Sequence, residues 1–287
     1  MSQTILINPK YERIVRQHGL HEFGRVMQGL GGHTVGRRSR RDIERIEVEC
    51  DGKPLTLFLK REWRTYLKDR MRNWFEGLGW GTKARREWHV LMAMTEAGLG
   101  CAEPVVVAEH CGFRPQGYIV VREIPSVDLL VPYLQQHRAL LTVWKRRQLA
   151  AHLGREVARL HAAGIDHPDL FSKHVLLSEP EPSDPLPHVY FIDMQRSSTR
   201  QCLSFIRRAH DLASLDATTP TRDATNTDRL AFLHSYLSIA FQAWDVDRFV
   251  RAIRGRSAKL SGRRKIRQMR AGTPSRALAL RESEEPL

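Results

Sequence analysis

The chain has 287 residues, and its 46 Lys and Arg against 32 Asp and Glu give a formal net charge of +14 at pH 7. A hydrophobic share of 41% is enough for a packed core and excludes a disordered chain, and no apolar run approaches the roughly 18 to 20 residues that span a bilayer. Four scattered cysteines without a CxxC pair, and an N-terminus without an apolar stretch, argue against a disulfide framework, a structural zinc site and a secretory signal.

The first half of the chain is predicted to consist mainly of β-strands with one helix. Alternating apolar and polar residues on both sides of Asp51-Gly52 predict a hairpin. Apolar residues at helical spacing predict a helix over 83–97, which ends before Gly98. The strands predicted in this half are 46–49, 55–59, 104–108 and 118–123.

The second half is predicted to be mainly helical. Its strongest helix covers residues 138–163, and short strands follow at 175–177 and 189–192. A strand-rich half followed by a helical half predicts an α+β protein of two lobes, with a cleft between them and a hinge over 122–127. We expect an N-terminal extension over 1–23, the strand-rich lobe over 24–124, the helical lobe over 125–250 and a basic tail over 251–287.

The excess of positive charge points to an acidic partner: nucleic acid, nucleotide phosphates or an anionic membrane surface. Residues 251–270 carry nine Lys or Arg and no acid, and residues 37–41 form a second basic cluster. Each segment is either a solvated stretch or a surface that contacts anions, and charge alone does not decide between these readings.

Two aspartates in the second half occur in the order that phosphoryl transfer requires. One carboxylate must orient the attacking hydroxyl and accept its proton, and another must hold magnesium on the phosphates. Asp169 lies in the loop after the long helix, and Asp193 follows the strand predicted over 189–192. Protein kinases place such groups in H-R-D-x-x-x-x-N and D-F-G motifs, and His174 stands here where the Asn would fall.

The first half supplies groups that can hold phosphates. Lys60 ends an apolar predicted strand, from which an ammonium can reach the α- and β-phosphates, and Glu87 on the next helix can pair with it. A glycine-rich turn ahead of that strand contains Gly29, Gly31 and Gly32 and can bring backbone amides close to phosphates. The order of these groups along the chain is more specific than any one of them.

These motifs resemble those of the lipopolysaccharide core kinase (Kdo/WaaP) family, whose members have a protein-kinase-like fold and phosphorylate inner-core sugars with ATP. That family has a His-x-Asp catalytic loop with a His five residues after the Asp, as Asp169 and His174 are spaced here. Its second motif, Ile-Asp-x-x-Arg, matches Ile192 to Arg196. The resemblance covers roughly residues 24–245, and it implies a two-lobed protein-kinase-like fold.

The resemblance also implies a role for each matching residue of the reaction centre. Asp169 is expected to be the catalytic carboxylate, which acts as the base or orients the sugar hydroxyl. Asp193 is expected to bind magnesium, with His174 assisting the metal or the loop geometry. Lys60 and Glu87 are expected to form the ion pair that positions the phosphates.

Three further expectations follow from the resemblance. The backbone near Glu123 and Ile124 should hold adenine, and Asp211 should be the buried Asp that braces the catalytic loop. Pro168 departs from the usual Arg of that loop, which removes a charge and a backbone N–H but leaves the position of Asp169 intact.

We therefore expect an ATP- and Mg²⁺-dependent kinase that phosphorylates a hydroxyl of a lipid-linked saccharide, a heptose or Kdo of the lipopolysaccharide inner core. The expected location is the cytoplasm, at the inner face of the cytoplasmic membrane. Loops over 62–83 and 194–225 are expected to select the acceptor.

Two other functions stay open at this point. A kinase for protein Ser/Thr or for another small alcohol needs the same ATP site and only a different acceptor pocket. A catalytically silent kinase-like module would bind an anionic membrane or, less readily, nucleic acid, since no motif for reading nucleic acid occurs. Retention of Lys60, Glu87, Asp169 and Asp193 argues against a silent module. The irregular spacing of His and Asp residues over 161–174 disfavours zinc.

Overall fold

Ten strands and nine α-helices are formed by the residues that the computed structural model describes, 2–38, 40–77, 79–180, 185–240 and 245–270. The strands are β1 (Ser2–Ile7), β2 (His33–Arg38), β3 (Arg41–Cys50), β4 (Lys53–Glu62), β5 (Gly100–Cys101), β6 (Pro104–Cys111), β7 (Gln116–Arg122), β8 (Val127–Leu129), β9 (Val175–Ser178) and β10 (Val189–Phe191). The helices are α1 (Glu12–Gln17), α2 (Phe23–Gln28), α3 (Leu67–Phe75), α4 (Lys83–Glu96), α5 (Leu130–Gln136), α6 (Val143–Ala162), α7 (Phe205–Thr218), α8 (Asn226–Ala240) and α9 (Val246–Arg270). Ser39 of the predicted basic cluster and residues 271–287 of the predicted tail lie outside the described residues.

The first sheet has six antiparallel strands in the order β1-β6-β7-β4-β3-β2. The predicted hairpin is confirmed, because β3 and β4 pair with Ile46 opposite Leu57. The hairpin closes at Asp51 and Gly52, whose φ angles are 52° and 73°. Positive φ at both central residues is typical of the tight turns whose twist matches that of the strands they connect.

An N-terminal extension was expected over 1–23, but residues 2–23 are part of the strand-rich lobe. Strand β1 forms the edge of the sheet and pairs with β6, so that Ile5 lies opposite Ala108. Tyr11, Ile14 and Val15 are buried in the apolar cluster on one face of the sheet. The extra strand went unpredicted because its partner lies about a hundred residues away in the sequence.

Helix α4 connects the two lobes and confirms the helix predicted over 83–97. The Thr82 side chain caps it by accepting a hydrogen bond from the Arg85 N–H at 3.3 Å. Gly98 ends it with a φ of 62°. Strand β5 then pairs in parallel with β10, in the second sheet of order β5-β10-β9-β8, so the segment after α4 is joined to the helical lobe by backbone hydrogen bonds.

Helix α6 is the centre of the helical lobe. The apolar stripe predicted for it is confirmed, because its members are buried: Leu149, Leu153, Val157 and Leu160. The helix begins at Val143 rather than at 138, because Thr142 caps it and residues 130–136 form the separate helix α5. Helix α8 packs closely across it, since a Cβ at Gly154 would lie 2.3 Å from the carbonyl oxygen of Phe232.

The basic segment over 251–270 lies on α9, which begins before the predicted tail. Phe249 and Ser257 are buried, and the helix packs on α7. The start of the predicted tail is therefore anchored to the helical lobe. Among the helices that the structure describes, none is long and apolar enough to cross a membrane.

Candidate active site

Lys60 and Glu87 form an ion pair between β4 and α4 in the strand-rich lobe. Lys60 lies near the end of β4, and its Nζ is 2.6 Å from Oε1 of Glu87 on α4. The Glu87 side chain is only 1% exposed and that of Lys60 only 17%. A buried carboxylate requires cationic or hydrogen-bonding partners, so each side chain fixes the other.

A second positively charged side chain, that of Arg41, connects this pair to the helical lobe. Arg41 on β3 places Nη2 3.2 Å from Oε2 of Glu87, and its Nη1 donates to the side-chain oxygen of Gln195. The amide nitrogen of Gln195 donates to Oδ1 of Asp193 at 2.7 Å. One continuous set of contacts therefore runs from Lys60 to Asp193.

Asp193 follows β10 after one intervening residue, Ile192, and its backbone is left-handed, with φ 62° and ψ 47°. This conformation is uncommon for residues other than glycine and occurs often at functional sites. Burial acts to raise the pKa of Asp193, but the electrostatic effect of His174, Arg41 and Lys60 outweighs burial and holds that pKa below its usual range. The carboxylate is therefore ionised at neutral pH and suited to a cation.

His174 contacts both predicted catalytic aspartates. Its Nδ1 lies 2.7 Å from the carbonyl oxygen of Asp169, and its Nε2 lies 3.5 Å from Oδ2 of Asp193. A carbonyl only accepts, so Nδ1 carries a proton. A proton on Nε2 would pair that nitrogen with Asp193, whereas the neutral ring presents a lone pair there to a cation that the two side chains share.

This donor set fits a magnesium ion shared with phosphates. Within the described residues there is no group of three His, Cys, Asp or Glu that could hold a metal. Mg²⁺ in phosphoryl-transfer sites is commonly bound by one or two carboxylates and takes its other ligands from substrate phosphates and water. Asp193 and His174 can therefore contribute to a shared site but not form a complete cage.

Asp169 lies in the loop between α6 and β9. Both oxygens of its carboxylate contact Nη1 of Arg196, at 2.7 and 2.9 Å. The Asp169 side chain is 14% exposed, whereas that of Arg196 is 56% exposed. The arginine therefore covers the carboxylate from the solvent side and fixes its orientation.

Buried side chains below the two loops hold them at a fixed separation. Asp211 on α7 accepts the backbone N–H of His167 at 2.7 Å and lies 3.3 Å from Nε2 of His161. The His167 ring contacts the carbonyl oxygen of Ile192 at 3.1 Å. Burial lowers the pKa of His167 to about 4, so the ring is neutral and donates to that carbonyl. The position of Asp211 agrees with the bracing role that the resemblance implies.

The glycine-rich turn is closed by a carboxylate from within the protein. The N–H groups of Leu30 and Gly32 donate to Oε1 of Glu44 at 3.1 and 2.6 Å. Glu44 is buried and also pairs with Arg61 at 2.9 Å. Gly32 is required because a Cβ there would lie 2.3 Å from a carbonyl oxygen of β3. Phosphate binding by Gly29, Gly31 and Gly32 stays a prediction, since two amides of this turn already have a partner.

Glu123 and Ile124 lie in the link between the lobes, where the hinge was predicted. The N–H of Glu123 donates to the carbonyl oxygen of Thr56 at 3.0 Å, and its carboxylate lies 3.4 Å from Nε of Arg45. This anchors the link to β4. The expected contact with adenine stays a prediction.

The sequence predicted five residues that the structure places in this site but not the side chains that connect them. The five are Lys60, Glu87, Asp169, His174 and Asp193. Arg41 was seen only as part of a basic cluster, because its partner Glu87 is 46 positions away. Gln195 and Arg196 were recognised as motif positions but received no role. The Ile-Asp-x-x-Arg motif indicated that Gln195 and Arg196 lie near Asp193. It did not show which side chains they contact.

Comparison with known proteins gives a consistent result for this fold and site. The family model described as "Lipopolysaccharide kinase (Kdo/WaaP) family" matches residues 27–236. The lipopolysaccharide core heptose(I) kinase WaaP of Pseudomonas aeruginosa is 29% identical over 178 residues, which is 56% of this chain and 66% of that protein. A 3-deoxy-D-manno-octulosonic acid kinase of Vibrio vulnificus is 27% identical over 109 residues, 38% of this chain and 43% of that protein. This chain therefore matches less than two thirds of the length of either relative.

A solved structure described as "WaaP in complex with acyl carrier protein" has the same fold. Its TM-score is 0.68 with 23% sequence identity, and the match covers 90% of this chain and 99% of that chain. The predicted kinase-like architecture of a strand-rich and a helical lobe is thereby confirmed.

Proposed function

Because the chain belongs to the lipopolysaccharide kinase (Kdo/WaaP) family, we propose that it transfers the γ-phosphate of ATP to a hydroxyl of a lipid-linked saccharide. The proposed acceptor is a heptose or Kdo of the lipopolysaccharide inner core, and the reaction takes place at the inner face of the cytoplasmic membrane. The observation that carries the proposal is the contact of His174 with both Asp169 and Asp193, beside the buried Lys60–Glu87 pair.

The nucleotide phosphates are expected to lie between Lys60 and Asp193. The Lys60 ammonium, held by Glu87, neutralises charge on the α- and β-phosphates. Asp193 and His174 would hold Mg²⁺, which neutralises the charge that develops on the transferred phosphoryl group when it is bound. Arg41 and Gln195 keep the Asp193 carboxylate in place while the substrates exchange.

Asp169 is the proposed base. Each of its carboxylate oxygens keeps a lone pair beyond the one that faces Arg196. The carboxylate can therefore accept a hydrogen bond from the saccharide hydroxyl while it stays in contact with Arg196. The hydroxyl oxygen attacks the γ-phosphorus as its proton passes to Asp169, and ADP leaves. The Arg196 charge stabilises the ionised carboxylate and sets its direction.

The test is phosphate transfer from labelled ATP to a purified core lipopolysaccharide, with free Kdo, small alcohols and Ser/Thr peptides as competing acceptors. We expect Mg²⁺-dependent labelling of the saccharide and loss of most turnover, by about a hundredfold or more, in Asp169→Asn with ATP binding retained. Asp247→Asn, in the exposed first turn of α9, serves as the matched control. Labelling of peptide instead of saccharide would contradict the proposed acceptor, and absence of ATP binding would contradict the kinase.

An acyl carrier protein is proposed as a further partner, since the structural relative was solved in complex with one. The support in this chain is its charge of +14 and a cavity of about 720 Å³ in the helical lobe. Apolar side chains dominate its lining, among them Leu134, Leu149, Leu153, Leu215 and Phe232. The apolar part of the lining can take an acyl chain, and charged side chains line the rest: Arg146, Asp216, Asp223, Asp228, Arg229 and Arg254. Calorimetry should show tighter binding of the acylated carrier than of the unacylated one, and equal affinities would contradict this assignment.

A further inference from the structure

Helix α3 turns its apolar side away from the protein. The spacing of the exposed stripe is that of one face of an α-helix. Its members are Leu67, Met71, Trp74 and Phe75. The polar side faces inward, where the side-chain nitrogen of buried Asn73 donates to the carbonyl oxygens of Gly81 and Thr82 at 2.7 and 3.0 Å. The orientation is the reverse of that of an ordinary surface helix, and it is fixed by those hydrogen bonds.

Aromatic rings and arginines surround the stripe. Tyr66 and Trp80 are both about half exposed. The guanidinium of Arg40 lies 4.5 Å from the ring centre of Tyr66, and that of Arg70 lies 5.0 Å from that of Trp80. We call this region the α3 surface: Arg40, Trp63, Tyr66, Leu67, Arg70, Met71, Trp74, Phe75 and Trp80.

The acidic side chains of this segment are neutralised from within the protein. Asp69 pairs with Lys83 at 3.0 Å. Glu76 receives three arginines, Arg72 at 3.2 Å, Arg86 at 2.9 Å and Arg200 at 3.3 Å. Because these carboxylates have cationic partners, the outward electrostatic character of the α3 surface is set by Arg40 and Arg70.

Helix α3 is joined to the candidate active site through Arg72, which lies outside the α3 surface. Nη2 of Arg72 donates to the backbone carbonyl oxygen of Arg196 at 2.8 Å. The side chain of that same Arg196 holds the carboxylate of Asp169. A membrane or molecule bound to the α3 surface would therefore lie close to the loop of Arg196 and to Asp169, where the proposed acceptor binds.

We propose that the α3 surface docks on anionic lipid headgroups and presents the active site to an acceptor held in that lipid layer. A contiguous exposed apolar patch marks an interaction site. Tryptophan and tyrosine favour the interface between headgroups and acyl chains, and arginines there bind anionic lipids. The charge of the surface is thus complementary to an anionic membrane. The inference deepens the proposed function, on which the purpose of the docking rests, although the docking itself requires no catalysis.

Vesicle flotation of the full chain, without ATP or acceptor, tests the docking. Vesicles of phosphatidylethanolamine and phosphatidylglycerol are compared with vesicles of phosphatidylcholine alone. We expect binding to the anionic vesicles, and an affinity lower by about tenfold or more in Trp74→Ser/Phe75→Ser. Trp144→Ser is the matched control, because Trp144 on α6 is 65% exposed and lies outside the α3 surface. It should bind as the unaltered protein does.

A second readout reports which side chain enters the lipid. Lipids with brominated acyl chains should quench tryptophan fluorescence of the unaltered protein, and Trp74→Phe should remove part of that quenching. Absence of vesicle binding, equal binding to both kinds of vesicle, or normal binding by Trp74→Ser/Phe75→Ser would each overturn the proposal. So would a Trp74→Ser/Phe75→Ser variant that binds vesicles normally but no longer phosphorylates a saccharide freed of its lipid, since the surface would then bind sugar. A failure of the kinase assay alone leaves the docking result unchanged, so the two proposals can fail separately.

Discussion

The sheet end and the loop end of the candidate site differ in how their carboxylates are used: one closes a turn of the backbone, and the other lies beside a histidine that contacts both loops. Glu44 accepts the amides of Leu30 and Gly32 and closes the glycine-rich turn. Asp193 and His174 instead lie side by side, with Nε2 of His174 3.5 Å from Oδ2 of Asp193. The carboxylate of the first region is bound to amides of the chain, and that of the second is the one proposed to bind a cation.

The two regions also differ in what holds them. The glycine-rich turn depends on one buried carboxylate, which itself depends on Arg61. The loops that carry Asp169 and Asp193 are fixed by several neutral and charged groups below them, including His167 and Asp211. The proposed reaction centre is thus supported by groups that would not themselves contact the substrates.

The largest expected effect is that of Asp193→Asn, which tests whether the loop end is the cation site. An amide keeps the shape of the side chain but removes its charge, so magnesium-dependent turnover should fall by about a hundredfold to a thousandfold. Magnesium-dependent nucleotide binding, measured by calorimetry, should weaken in parallel. Near-normal activity would show that Asp193 does not bind magnesium, and the proposed difference between the two ends of the site would then be wrong.

An intermediate effect is expected from pH, through His167. Its pKa is about 4 in the folded protein against 6.5 ordinarily, so the unfolded chain binds the extra proton more readily. The contribution of His167 to the free energy of unfolding is fully present above pH 6.5. It is lost as the pH falls toward 4, and the loss is on the order of 3 kcal/mol. Urea unfolding at several pH values should show this loss. His167→Gln should lack it, whereas the control His18→Gln, at the end of α1, should retain it.

The smallest effect is expected from Glu44→Gln at the sheet end. The change weakens two hydrogen bonds and removes one partner of Arg61, which still pairs with Asp42 at 2.9 Å. The free energy of unfolding should fall by about 1–2 kcal/mol, with little change in kcat. Thermal unfolding and steady-state kinetics measure both quantities. A KM for ATP altered by more than about tenfold would show that the amides of the turn do contact phosphates.

Features set by neighbouring residues were predictable from the sequence. The hairpin over β3 and β4 follows from alternation around Asp51-Gly52, and α4 follows from its apolar spacing and Gly98. Asp169 and His174 are five positions apart, so their contact depends on one short loop. Local geometry of this kind is encoded in the spacing of residues.

Features that depend on distant partners were not predictable in the same way. Strand β1 is defined by its pairing with β6, and Arg41 finds its role through Glu87 and Gln195. Helix α3 lies in the segment 62–83 that was interpreted as a loop, although its apolar residues have the spacing of one helix face. The closure of the glycine-rich turn by Glu44 likewise depends on a side chain from the neighbouring strand.

The parallel pairing of β5 with β10 has a consequence for how activity can be controlled. Gly100 allows this pairing, since a Cβ there would lie 2.0 Å from the carbonyl oxygen of Val189. Only three residues separate the end of α4 from β5. An outward movement of that helix, which would separate Glu87 from Lys60, is therefore opposed by the backbone hydrogen bonds between β5 and β10. Control of the site by displacement of α4 would therefore have to disrupt the second sheet as well as the contact between Lys60 and Glu87.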